Sequence, residues 1–174
     1  PTGRCDVSTL PDGSPAYRLC RDAAYFAIPA PEEQQLAAEH FDALYFGSLA
    51  LTTPANRETA TRLAASGRFP RVLCDINLRD GFCDRDTLDF CCTHATVMKV
   101  NRSELDRLFG IYFQAEEDDG RDARCAALCR RFGWELLIVR LDCDGAMVYR
   151  RADARSRGRF SRALRNGAPQ RGEP

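Results

Sequence analysis

Two apolar runs, Val72–Ile76 and Ala95–Val100, constrain this chain more than any other feature of its 174 residues. Each run ends in polar residues, and the segment between them has helical character. The first leads into Asp75, Asn77 and Arg79, the second into Lys99, Asn101 and Glu104. Short apolar runs joined by a helix form strand–helix–strand units of a parallel sheet. In such sheets ligands bind beyond the carboxyl ends of the strands, and both polar clusters fall there.

The rest of the chain extends this unit. Strand candidates at 3–9 and 16–20 flank Pro11-Asp12-Gly13-Ser14-Pro15, a dense turn signal, and predict a β-hairpin over residues 1–30 that serves as a lid or an oligomer contact. Residues 32–40 predict a helix with an acidic start. Asp42–Phe46 predicts a buried strand turning at Gly47-Ser48. Thr53 is placed to cap a helix that opens on Pro54 and stops at Gly67. A helix near 84–92, a short helix over 102–109, a solvated acidic loop over 114–122, a helix over 122–132 and a strand over Trp134–Leu141 follow. A turn, Asp142-Cys143-Asp144-Gly145, leads to a last strand, Ala146–Tyr149. The alternation predicts an α/β core over 31–149, a doubly wound, mostly parallel sheet flanked by helices.

Charge is unevenly spread over a chain whose formal net charge is zero. Residues 150–174 hold eight arginines against Asp153 and Glu173, with almost no apolar periodicity, and predict a disordered Arg-rich tail. A basic tail attracts nucleic acid, but this one lacks interleaved aromatics and the preceding domain is acidic, so no nucleic-acid partner is expected. No run of 18 apolar residues is present, so no membrane partner is expected. Nine cysteines lack C-x-x-C pairing, and only His40 and His94 could join them at a metal. Buried free thiols in a reducing cytoplasm are the expectation. The chain opens on Pro1 in strand-like material and reads as the middle of something longer.

Three clusters could carry chemistry. Asn77 and Arg79, two apart after a strand, can both face the crevice above the sheet, with Arg79 offering a fork of donors to phosphate or sugar oxygens; the plainer alternative is a solvated loop arginine. Asn101 and Glu104 open a helix after a strand. They either draw an anion to the helix N-terminus and hold Mg²⁺ through waters, or form a variant of the capping box. Lys99 is the only lysine in a chain that otherwise uses arginine, and it either meets a phosphate or sits as a strand-edge charge. No G-x-x-x-x-G-K-[ST], G-x-G-x-x-G or G-x-S-x-G occurs.

FGSLA (46–50), DINLR (75–79), KVNRSEL (99–105) and LIVRLDCDGAMVY (137–149), in that order, resemble the ribokinase-like, or PfkB, family of sugar kinases, with the closest look to bacterial fructokinases. The resemblance covers residues 1–149 and implies a Rossmann-like ribokinase fold, in part, with an N-terminal hairpin as β-lid. It implies ATP and Mg²⁺ as cofactors, a sugar substrate such as the hexose fructose, and homodimerisation through the hairpin. Carried over residue by residue, Lys99, Asn101, Glu104 and Gly145 face the nucleotide, Glu104 attends the metal, and Asp75, Asn77 and Arg79 face substrate and phosphate. The family's T-x-G-x-x-G reads Arg140-Leu141-Asp142-Cys143-Asp144-Gly145 here, keeping only Gly145. The family's G-A-G-D, whose Asp is the catalytic base, does not occur, so no catalytic residue is assigned. The implied function is ATP-dependent phosphorylation of a sugar hydroxyl by a protein of which this chain is a central part; the alternative is an inactive fragment or pseudoenzyme that binds or oligomerises.

Overall fold

The computed structural model describes residues 1–11, 13, 15–20, 22–79, 83–113, 120–151 and 159–163. Strands β1 (Cys5–Thr9) and β2 (Pro15–Leu19) form the expected antiparallel hairpin, paired from Cys5 with Leu19 to Thr9 with Pro15. Asp12 and Ser14 of its turn lie outside the described residues. Helix α1 (Glu33–Ala38), strand β3 (Leu44–Gly47) and a 3-10 turn (Ser48–Leu51) follow. Helix α2 (Pro54–Ala65) starts where Thr53 and Pro54 predict, and the Thr53 side chain accepts from the Asn56 amide. Strand β4 (Val72–Asp75), helix α3 (Arg85–His94) and strand β5 (Val97–Asn101) make the strand–helix–strand unit, with Asp84 capping α3.

Helix α4 (Arg102–Tyr112) runs a turn beyond the predicted 109, because Ile111 and Tyr112 also pack against the core and continue the stripe of Leu105 and Leu108 at helical spacing. Helix α5 (Gly120–Phe132) takes in the last residues assigned to the acidic loop; residues 114–119 lie outside the described set. Strands β6 (Leu136–Arg140) and β7 (Ala146–Arg150) complete the predicted elements.

The main sheet has six strands in the order β3-β4-β5-β6-β7-β8. The first four are parallel, and β7 and β8 are antiparallel to their neighbours. The eighth strand, β8 (Arg159–Ala163), corrects the expectation of disorder across 150–174: Arg150 ends β7, and residues 159–163 pair with it over five positions. Short alternating segments in a tail with little apolar content carry no strand signal alone; the open edge of β7 supplies the ladder. The other tail residues from 152 onward lie outside the described residues.

Double winding is also corrected. The strand order never reverses, and right-handed crossovers repeated in one direction place every connecting helix on one face. The single core bears this out. It joins Ala60 of α2, Leu88 and Cys91 of α3, Leu105 and Leu108 of α4, and Leu128 and Cys129 of α5 to Phe46, Cys74, Met98, Val100, Leu137 and Val139, one face of the sheet. By alternation, Tyr45, Leu73, Asp75, Val97, Lys99, Asn101, Ile138 and Arg140 belong to the other face. Five of the nine free cysteines, Cys74, Cys91, Cys92, Cys125 and Cys129, are buried. Trp134, fully buried, donates its indole N–H to the Cys92 carbonyl at 2.8 Å. Among the described residues no helix is long and apolar enough to cross a membrane.

A buried Asn56 straps the segment after the hairpin to this layer. Its Nδ2 donates to the Tyr25 and Ala50 carbonyls at 2.7 and 2.6 Å, and its Oδ1 accepts from the Ile28 amide at 3.0 Å. The hairpin stem is thereby fixed on the side of the sheet where the polar strand ends lie.

Candidate functional site

The parallel strands β4, β5 and β6 end side by side, with Asp75 opposite Lys99 and Asn101 opposite Arg140. Their ends and the loop after β4 enclose a solvent-open crevice of about 150 Å³ lined by Asp75, Asn77, Arg79, Lys99, Asn101, Glu104 and Arg140. Six of the seven residues singled out from sequence therefore meet in one place. The volume is below the 300 Å³ or so of a small-molecule pocket, and suits one polar group of a ligand rather than a whole one.

Electrostatics divide the crevice. The Lys99 ammonium donates to Asp75 Oδ2, so these two largely cancel. The Tyr45 hydroxyl donates to the same oxygen at 3.4 Å; burial, and next the Asp75 charge, raise the phenol above its ordinary value. Ser48, buried in the 3-10 turn after β3, donates to the Asn77 carbonyl at 3.1 Å and accepts from its amide at 3.4 Å, holding the loop after β4. The Asn77 side chain is left exposed.

Glu104 is 5% exposed and fully engaged in architecture. Its Oε2 accepts from the Asn101 amide at 2.7 Å, while Asn101 Oδ1 accepts from the Glu104 amide at 2.9 Å, a reciprocal capping box. Its Oε1 accepts from the Leu78 amide at 3.0 Å. One carboxylate thus closes the start of α4 and pins the neighbouring loop that carries Arg79. Each oxygen retains a second lone pair, which fits a water-mediated hold on Mg²⁺; among the described residues no three His, Cys, Asp or Glu side chains converge as a cage.

Gly145 is not brought to the crevice. It closes the 3-10 turn (Asp142–Asp144) between β6 and β7 with φ 89° and ψ −134°, a conformation essentially reserved for glycine. Asp142, which stands where the motif has its first glycine, is left-handed at φ 55°. The backbone of the turn therefore keeps the shape that glycine serves, and an aspartate, one of the few other residues tolerant of it, fills the place. Asp144 pairs with Arg102 at 3.0 Å.

Two residues at the site escaped the sequence reading. Arg140 ends β6 as Lys99 nears the end of β5, and its place at a strand end is the signal that marks it among the many arginines of the chain. Tyr17 had no local signal. Its ring lies under the Arg79 guanidinium at 4.7 Å, which only the folding of the hairpin over the strand ends brings about. Tyr17 shares the more apolar face of the hairpin with Cys5, Val7 and Leu19.

Comparison with known proteins agrees with the fold. A family model described as pfkB family carbohydrate kinase matches residues 17–161. Among solved structures, a fructokinase from Xylella fastidiosa with bound ATP superposes with a TM-score of 0.67 at 18% identity, over 91% of this chain and 50% of that one. A ribokinase from Thermotoga maritima gives 0.63 at 16% identity, over 97% and 50%. A fructokinase from Vibrio cholerae O395 in its fructose, ADP and calcium ion bound form gives 0.59 at 23% identity, over 90% and 50%. No curated protein sequence matches the chain. It spans about half the length of these solved relatives. The family match over most of the chain, with the ribokinase-like layer and the strand-end crevice in place, means that the chain belongs to the pfkB family of carbohydrate kinases.

Proposed function

We propose that this chain carries the phosphate-side crevice of an ATP-dependent sugar kinase that phosphorylates a hydroxyl of a hexose such as fructose, in the cytoplasm and as a homodimer joined through the N-terminal hairpin. The observation that carries the reading is the convergence of Asp75, Asn77, Arg79, Lys99, Asn101 and Glu104 at adjacent strand ends beneath that hairpin. In the reaction the sugar oxygen bonds to the γ-phosphorus, the bond from that phosphorus to the β–γ bridging oxygen breaks, and the hydroxyl proton passes to a base. In this reading Arg79 offsets negative charge on the transferring group, Lys99 joins it on exchanging Asp75 for phosphate, and Asn77 and Asn101 supply neutral polar contacts. Gly145 serves the nucleotide side indirectly, by shaping the β6–β7 turn. Mg²⁺ supplies charge neutralisation to the phosphates when bound, and Glu104 and Asn101 are the residues that would hold it, through waters.

The same geometry supports a second reading. Asp75 is neutralised by Lys99, and Glu104 holds two backbone amides, so neither crevice carboxylate is free to take the hydroxyl proton. With no G-A-G-D in the 174 residues, the chain on its own acts as a binding module. Assay of ADP release with ATP, Mg²⁺ and fructose separates the two. Fructose-dependent release by this chain establishes transfer, nucleotide binding without release establishes the module, and absence of both removes the kinase reading.

A further inference from the structure

We propose that Ser48 is a positioning residue of the crevice, which holds Asn77 and Arg79 in the direction that receives the ligand. The inference rests on the reading of the crevice as a phospho-ligand site. Ser48 does not line the crevice, and it belongs to a run, FGSLA (46–50), that carries neither a charge nor a metal ligand. The parallel ladder between β3 and β4 closes at Gly47 with Asp75. Asn77 lies two residues beyond that last pair, where the sheet no longer dictates the backbone. There Ser48, 1% exposed, takes over. Its hydroxyl donates to the Asn77 carbonyl at 3.1 Å and accepts from the Asn77 amide at 3.4 Å.

The amide of a residue lies in the peptide plane before its Cα, and the carbonyl in the plane after it. One atom that holds both fixes the two planes, and with them the direction of the side chain. Three consecutive amides of this loop are bound by three different elements. The Ile76 amide donates to the Lys99 carbonyl at 3.0 Å, the Asn77 amide to Ser48, and the Leu78 amide to Glu104 Oε1 at 3.0 Å. A carbonyl and a carboxylate only accept, so Ser48 is the one partner of the three that also holds a carbonyl. Ser48 is itself braced. Asn56 Nδ2 donates to the Ala50 carbonyl of its 3-10 turn at 2.6 Å, and the Arg57 guanidinium donates to the Leu51 carbonyl at 3.0 Å. A contact that orients a site is effective when its own support is fixed in this way.

The other end of β4 carries the same device without a crevice. Thr96 Oγ1 accepts from the Val72 amide at 2.9 Å and donates to the Val72 carbonyl at 3.3 Å. The two hydroxyls make like clasps at opposite ends of one strand. Removing either weakens the fold, and removing the one at Ser48 alone disturbs Asn77 and Arg79.

Titration calorimetry with ADP plus Mg²⁺ tests this on the 174-residue chain, Ser48→Ala and Thr96→Val. Both variants should melt roughly 2–6 °C below wild type. Ser48→Ala should bind ADP about fivefold more weakly or worse, and Thr96→Val should bind it as wild type does. The NMR signals of the Tyr17 ring report the place of the Arg79 guanidinium, 4.7 Å from its centre; they should shift in Ser48→Ala and stay in Thr96→Val. Weaker binding with unmoved Tyr17 signals removes Arg79 from the proposal and leaves Asn77. Ser48→Ala that binds as wild type overturns the positioning role while the phospho-ligand reading stands. Equal losses of affinity in the two variants reduce the effect to stability and also overturn it. A wild-type chain that binds no ADP overturns both.

Discussion

Replacing Glu104 with alanine separates two jobs that its sequence position allows. The carboxylate is 5% exposed and accepts two backbone N–H groups, from Asn101 at 2.7 Å and Leu78 at 3.0 Å. Hydrogen bonds to a charged group contribute about 1.5–3 kcal/mol each. Both amides sit near the crevice mouth and water can partly replace the lost acceptor, so the expected cost of Glu104→Ala is about 2–3 kcal/mol in all. For a domain of this size that lowers Tm by roughly 4–12 °C. Glu104→Gln keeps one acceptor and turns an NH₂ toward the other amide, so it loses about half as much. Thermal and urea unfolding, in chelator and without Mg²⁺, read the cost directly. If Glu104→Ala melts with or above wild type under those conditions, the carboxylate is not a clasp between α4 and the loop after β4. Its burial would then have to be explained by a ligand.

Three further perturbations test other parts of the account. Asn56→Ala orphans the Tyr25 and Ala50 carbonyls and the Ile28 amide, for a cost of about 2–3 kcal/mol; limited proteolysis should then cut near residues 20–30 well before the core, and unchanged resistance there would contradict the strap. Asp142→Val forces a β-branched residue to φ 55° and should lower stability by about 1–2 kcal/mol, whereas Asp142→Gly should not lower it; a Gly variant that melts well below wild type would remove the left-handed turn from the argument. Burial pushes the thiols of Cys92, Cys125 and Cys129 up to about 12 from an ordinary value of 9.0. The unfolded chain therefore releases these protons first, so their contribution is complete below about pH 9 and is lost as pH rises toward 12. Tm should fall over that window, and the exposed Cys5 and Cys143 should react with a thiol reagent far sooner than the buried three; simultaneous labelling of all would refute the packing.

What the sequence disclosed followed from strong local signals. Val72–Ile76 and Ala95–Val100 are short, mostly apolar runs with a charge only near their carboxyl ends, and Thr53-Pro54 and N-x-x-E mark helix starts by chemistry that does not depend on tertiary context. Because strand ends in a parallel sheet share one edge, placing these elements also placed Asp75, Asn77, Lys99 and Asn101 together. The side on which the helices lie was not readable, since winding depends on strand order, which no local pattern encodes. Strand β8 was hidden because its pairing partner, not its composition, makes it a strand. Tyr17 reaches Arg79 across sixty-odd residues, a contact set by the hairpin's docking. Glu104 was read as either cap or metal neighbour, and its two amide bonds show the cap, leaving the metal to whatever lone pairs remain.

The central claim is that the ends of β4, β5 and β6 form a phospho-ligand site in this chain. A chain of 19.5 kDa is well suited to amide-resolved NMR, and titration with ADP and Mg²⁺ tests the claim directly. The account predicts shifts concentrated at residues 75–79, 99–104 and 140, with little change at the opposite end of the sheet around Arg71, Glu135 and Arg151. Shifts centred on that opposite end, or none at saturating ligand, would contradict it.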